Sequence, residues 1–241
     1  MASNTTQTGD ANVGRLPGLK DSYRRWYFEA TAWLLLGLTL VAFGDNLVTD
    51  IGQPSNSDPK FIVHGLFCGA WMVLLIVQSR YVRIRKIASH RKLGDAFGKF
   101  IVIGAIVSTI WLFIVAFKGF AAMSPEVKTN RLMLAGFGFC IWLAYRQRYR
   151  ADHHKRLIFV GTFFLLDPIL ARVFDPMLVP FEGMITEPVV EALFLPWLYS
   201  LWSAFFGSLL AYDWMVAQRP HPVTLAGIGW FALVAAVAWL T

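Results

Sequence analysis

The sequence predicts an all-α, polytopic integral membrane protein, and three observations carry that prediction. Hydrophobic residues make up 56% of the 241 and charged residues only 15%. Seven apolar stretches are long enough, once flanking aromatic and long side chains are added, to cross about 30 Å of hydrocarbon, which takes roughly 20 helical residues. Lys and Arg fall on every second connector between those stretches. Lipid offers the backbone no hydrogen-bond partner, so apolar runs of this length close their bonds internally as helices; open strands would leave amides unpaired.

The elements follow in order. Met1 to Gly18 is rich in Thr, Asn, Gly and Ala without an apolar run, and is expected to be a disordered cytoplasmic arm, not a signal peptide. Residues 19–241 form a single transmembrane domain. Its spans are expected at Trp26–Phe43, Phe61–Val82, Phe100–Phe120, Leu132–Tyr145, Leu157–Val173, Ala192–Tyr212 and Val223–Leu240. The fourth is the shortest. The fifth contains Asp167-Pro168, where the missing proline N–H loosens the backbone. The longest connector, Phe174–Glu191, carries Pro176, Pro180 and Pro188 and reads as a re-entrant or interfacial segment on the outer face.

Charge sets the orientation. On one side lie Lys20, Arg24 and Arg25, then the basic connectors Arg80–Lys99 and Arg146–Arg156, then Arg219; on the other only Lys60, Lys118, Lys128, Arg131 and Arg172. The positive-inside rule makes the first side cytoplasmic, placing the N-terminus inside and the C-terminus outside. Asp45, Asp50, Asp58, Glu126, Asp175, Glu182, Glu187 and Glu191 sit in or beside the outer connectors. The net charge of +7 is dispersed over juxtamembrane loops, which suits anionic headgroups and argues against nucleic acid. Cys68 and Cys140 both fall inside predicted spans, so no extracellular disulfide framework is implied. The expected location is a bacterial inner membrane.

An internal repeat points to candidate site residues. Trp71, then Arg80-Tyr81-Val82-Arg83, then His90-Arg91-Lys92-Leu93 parallels Trp142, then Arg148-Tyr149-Arg150, then His154-Lys155-Arg156-Leu157. Spans two and three would then be related to four and five by a parallel repeat about an axis along the membrane normal, forming a central four-helix unit. Positive-inside selection alone also fills such loops with Arg and Lys. If the repeat holds, His90 and His154 occupy equivalent positions, and two facing imidazoles from two helices can ligate a b-type haem, with His153 as a spare candidate. The plainer reading is a headgroup-level His beside Lys and Arg.

Four intramembrane polar residues complete the candidates. His64, Trp71 and Gln78 are spaced seven and seven, placing them along one helix face that should turn inward. Asp167 at its depth must pair, protonate or line a wet cavity; Arg172, His64, Lys118 and Arg131 are candidate partners. A structural ion pair and a His bonded across helices as packing glue are the plainer readings of these groups.

His64, Gln78 and Arg80, His90-Arg91-Lys92-Leu93-Gly94, and His154-Lys155-Arg156-Leu157 with Arg172 resemble an uncharacterised bacterial family of multi-pass membrane proteins. That family reads as a His, a Gln-x-x-Arg-like turn, His-Arg-x-x-Gly and a His-basic-basic motif. The resemblance covers about residues 60–173. It implies the fold and the importance of those polar residues, with no activity attached. A weaker similarity to membrane proteins that assist assembly of haem-copper oxidases rests on the His-basic-basic motif alone.

Three classes of function follow. A cytochrome would use His90 and His154; a small-solute or proton-coupled transporter would use Asp167, His64 and Arg172; an assembly or scaffold subunit would offer an aromatic face such as Trp197, Trp202, Phe205 and Phe206 to another membrane protein or a second copy. The sequence has no Gly-rich phosphate loop, Gly-x-Ser-x-Gly elbow or His-Glu-x-x-His zinc motif, and no nucleophile or substrate is identified.

Overall fold

Leucine-, valine- and phenylalanine-rich runs in this chain become helices and nothing else among the described residues. The computed structural model describes residues 19–48, 57–117, 119–181 and 183–240. The helices are α1 (Leu19–Val48), α2 (Pro59–Arg83), α3 (Ile87–Leu93), α4 (Lys99–Val115), α5 (Pro125–Arg146), α6 (Ala151–Phe163), α7 (Asp167–Leu178), α8 (Glu187–Ala217) and α9 (Pro222–Leu240). A π-helical turn at Gly94–Gly98 joins α3 to α4. The expected disordered arm, Lys118 and Glu182 lie outside the described residues.

Five helical segments are long and apolar enough to cross a membrane: Ser22–Asp45, Pro59–Arg83, Ile87–Val115, Glu187–Ala217 and Pro222–Leu240. Counting the bent pair α6–α7 makes six. The expected fourth span falls short on composition, not length. Its helix α5 has 22 residues, about 33 Å, but opens with Glu126, Lys128, Asn130 and Arg131.

The expected fifth span is not one straight rod. Its halves meet at 55° across Phe164–Leu166. Pro168 has no N–H to offer the carbonyl four residues back, so the ladder opens there. At the bend the Phe163 carbonyl accepts both the Leu166 N–H at 3.3 Å and the indole N–H of Trp202 at 2.6 Å, which ties α8 to the broken turn. The proline-rich connector is largely helical as well: α7 runs on through Pro176 and Pro188 opens α8.

Helix α1 lies against α2, α7 and α8, and α2 is held between α1 and α4. Helices α5 and α6 form a hairpin on which α9 packs, and α8 touches α1, α6, α7 and α9. The core fills with aromatics: Phe163 to Phe206 at 5.5 Å between ring centres and Trp202 to Phe231 at 4.9 Å. Trp202, Phe205 and Phe206 are therefore buried packing groups, not an outward aromatic face. Glycines let these helices approach: a Cβ on Gly227 would lie 2.5 Å from Val160, and one on Gly136 2.5 Å from Trp230. Large apolar side chains also cover the outside, Leu66, Phe100 and Ile114 among them. Helices apolar on all faces are the kind that lipid solvates.

Candidate functional site

The basic ends of the helices gather into one polar layer. Arg83 at the end of α2 pairs with Glu29 of α1, His90 of α3 faces His154 of α6, Lys99 of α4 lies 4.4 Å over the Tyr145 ring of α5, and Arg156 of α6 pairs with Asp213 of α8. The alternating charge pattern thus folds into a single end of the bundle.

Within that layer the two histidines of the repeat come together. The ring centres of His90 and His154 are 6.2 Å apart, with planes at 88°. Each enters from the first turns of a helix that follows a basic turn, the local geometry the repeat implies. His154 Nδ1 donates to the Ala144 carbonyl at 2.9 Å, which leaves Nε2 free. That bond is the orienting contact typical of a ligating histidine. His90 Nδ1 and Gln78 Oε1 are buried with no partner, and so is Gln147 Oε1 at the end of α5. Three of the five buried side-chain atoms without partners among the described residues are thus Gln78 Oε1, His90 Nδ1 and Gln147 Oε1, and each such atom calls for a physical explanation. The π-helical turn begins four residues after His90, and a Cβ on its Gly94 would sit 3.0 Å from Gln78 Nε2. Glycine there lets the Gln78 carboxamide lie beside the pair.

His153 does not share this site. It turns the other way, to His221, with ring centres 4.7 Å apart. His221 belongs to the short turn between α8 and α9, where its Nδ1 accepts the Val223 N–H at 3.2 Å. Burial, with the Arg156 guanidinium and His153 beside it, pushes its pKa down to about 4. The unfolded chain binds this proton from about pH 6.5 downward, while the folded chain does not until about pH 4. The neutral imidazole's contribution to stability is thus complete above about 6.5 and is lost as pH falls toward 4. Melting the purified protein between pH 7 and 4 is expected to show a decline that is shallower in His221→Asn.

Two buried ion pairs, neither visible as a motif, brace the layer. Asp213 is 0% and Arg156 3% exposed. Asp213 Oδ1 receives Arg156 Nε at 2.7 Å and Nη2 at 2.6 Å; Oδ2 receives the Thr224 hydroxyl at 2.6 Å and the His221 backbone N–H at 3.0 Å. Every carboxylate contact is matched, so this is a fastening of α6, α8 and α9. Glu29, 2% exposed, is held by Arg83 and by Arg80 at 3.5 Å, with the Arg83 guanidinium 3.9 Å over Trp26. A glutamate inside an expected span, followed at a distance by arginines, was the available signal.

The remaining candidates are scattered. His64, Trp71 and Gln78 do line the inner face of α2: Trp71 Nε1 donates to Thr162 Oγ1 at 3.3 Å. His64 Nδ1 lies 3.3 Å from Ser108 Oγ and 3.4 Å from Thr109 Oγ1, which ties α2 to α4. Asp167 opens α7, 7% exposed, and its Oδ1 has no partner. Among the described residues it pairs with none of His64, Arg131 or Arg172; Arg172 instead lies 4.9 Å over the Phe43 ring. Beyond Asp167 a cleft of about 360 Å³ is lined by Glu126, Asp175 and Glu191 with Phe174 and Phe194.

A helical bundle clad in apolar side chains, with a paired-imidazole site at its basic end, is the class of protein this structure defines. In three comparisons the chain matches no family model, no curated protein and no solved structure.

Proposed function

We propose that the chain is a seven-span bacterial inner-membrane protein, N-terminus inside and C-terminus outside, in which His90 and His154 hold a b-type haem for electron transfer. For the topology, α5 counts as a span on length and α6–α7 as one bent span, and the basic layer becomes the cytoplasmic end by the positive-inside rule. The meeting of His90 and His154 supports a parallel repeat of α2–α4 and α5–α7.

The observation that carries the haem reading is the His90–His154 pair itself. Two imidazoles bonded to one metal through nitrogens about 2.0–2.1 Å away place their ring centres about 6 Å apart, against 6.2 Å here. No group of three or more His, Cys, Asp and Glu side chains among the described residues is arranged for a metal ion. A bare ion needs three or four protein ligands, whereas a haem would ask the protein for only one or two. The donor set therefore fits: free Nε2 on an oriented His154, an orphaned nitrogen on His90. The group would supply one-electron chemistry at its iron. His90 and His154 would hold it, with the Ala144 carbonyl fixing the His154 tautomer and Gln78 bordering the pair.

Detergent-solubilised protein from haem-replete cells is expected to show a Soret band that disappears in His90→Ala and in His154→Ala but survives in His153→Ala. A colourless wild-type protein sinks the reading. Transport is the second reading, favoured by the unpartnered Asp167 and by the carboxylate-lined cleft; it requires loss of solute or proton flux in Asp167→Asn.

A further inference from the structure

The opposite end of the bundle carries cations that meet no anion. Arg131 near the start of α5 donates Nη1 to the Phe113 carbonyl at 3.2 Å, in the last turn of α4. Its guanidinium lies 4.7 Å over the Phe113 ring, and its Nε is buried without a partner. One turn earlier Lys128, 4% exposed, has the Phe120 ring 5.5 Å from its Nζ. Neither forms an ion pair with a carboxylate among the described residues. A guanidinium that meets no carboxylate, in a place where water is scarce, is a donor for an anionic oxygen.

Beside it lies a groove of about 240 Å³ walled by Ile110, Phe113, Ile114, Phe117 and Arg131. Ile114 is 69% exposed, and the outward row continues down α4 through Val107 and Ile103. This span is the least covered by protein of the five, with 11% of its apolar window buried. The feature is thus amphipathic in one direction: a cationic head position at the helix end, then a hydrocarbon track of more than two turns.

We propose that this groove is a binding site for a single anionic phospholipid, its phosphate on the Arg131 guanidinium that walls it with Lys128 adding charge, and one acyl chain along Ile114, Ile110, Val107 and Ile103. Charge complementarity selects this occupant. A zwitterionic lipid brings its own cation to a place that already holds two, and a soluble anion would leave the apolar walls uncovered. The site rests on the apolar helices meeting lipid and is independent of the histidine pair and its cofactor.

The test is native mass spectrometry and thermal unfolding of the delipidated full chain titrated with phosphatidylglycerol or phosphatidylcholine. Phosphatidylglycerol is expected to give one dominant bound lipid and to raise the unfolding temperature, with phosphatidylcholine about tenfold weaker or worse. Arg131→Gln should erase that preference. Ile114→Glu offers a second variant at an exposed position; its carboxylate occupies the guanidinium and should weaken phosphatidylglycerol to a similar degree. Equal binding of the two lipids by the wild type, or unchanged preference in both variants, overturns the proposal.

Discussion

Asp213→Ala is expected to destabilise the protein by about 3–5 kcal/mol, because it takes from the buried Arg156 guanidinium its buried counter-ion and leaves it only the exposed Asp152 carboxylate. Arg156 is 3% exposed, and its remaining contacts would be the Asp152 backbone carbonyl at 2.9 Å and the Asp152 carboxylate at 3.6 Å. The loss also strips the Thr224 hydroxyl and the His221 amide of their acceptor, so the α8–α9 turn loosens with the ion pair. Unfolding in graded denaturing detergent, followed by loss of helical circular dichroism, reads the effect. The double change Asp213→Leu with Arg156→Met removes both charges and should recover most of the stability, since apolar replacement of a whole buried pair is often neutral or better. A single variant as stable as the wild type would show that the fastening carries no weight.

Gly227→Ala is expected to cost about 1–3 kcal/mol through overpacking. The added Cβ would meet Val160 Cγ1 at 2.5 Å, Cγ2 at 3.2 Å and Cβ at 3.5 Å. Val160 is β-branched and buried, so its single rotamer cannot swing away; α6 and α9 must part instead. Pairing the change with Val160→Ala should restore the contact distance and most of the stability. Gly104 provides the contrast. A Cβ there would meet the Phe67 ring at 2.1 Å, a closer approach, yet Phe67 is only partly buried and its ring can turn. Gly104→Ala is therefore expected to be milder than Gly227→Ala in the same unfolding assay, despite the shorter distance.

How far the sequence can be read depends on which residues are asked. His90 and His154 were legible because each follows a basic turn at matching places in two similar units, and the structure sets their rings together. The inward face of His64, Trp71 and Gln78 was legible from their spacing by seven. Asp213 was not. Between Tyr212 and Trp214 at the end of an apolar stretch it looks like an interfacial carboxylate, and its partner Arg156 looks like one more positive-inside residue. Glu29 was hidden in the same way, inside a stretch whose average is apolar. His153, adjacent to His154, was the spare candidate in one dimension; successive helical residues point about 100° apart, and that rotation sends it to His221.

By itself the sequence determined the material of this protein: apolar helices, because lipid leaves the backbone no other way to pair, and a basic end, because charge alternates from connector to connector. Only the tertiary structure decided which charges are partners and which imidazoles meet. It also decided that Trp202 of α8 donates to the Phe163 carbonyl at the bend between α6 and α7. Hydropathy and charge are properties of a residue and its near neighbours along the chain, whereas a buried ion pair or a two-histidine site joins residues dozens of positions apart. Their meeting is set by how side chains of particular volume allow helices to approach, and no local pattern records that.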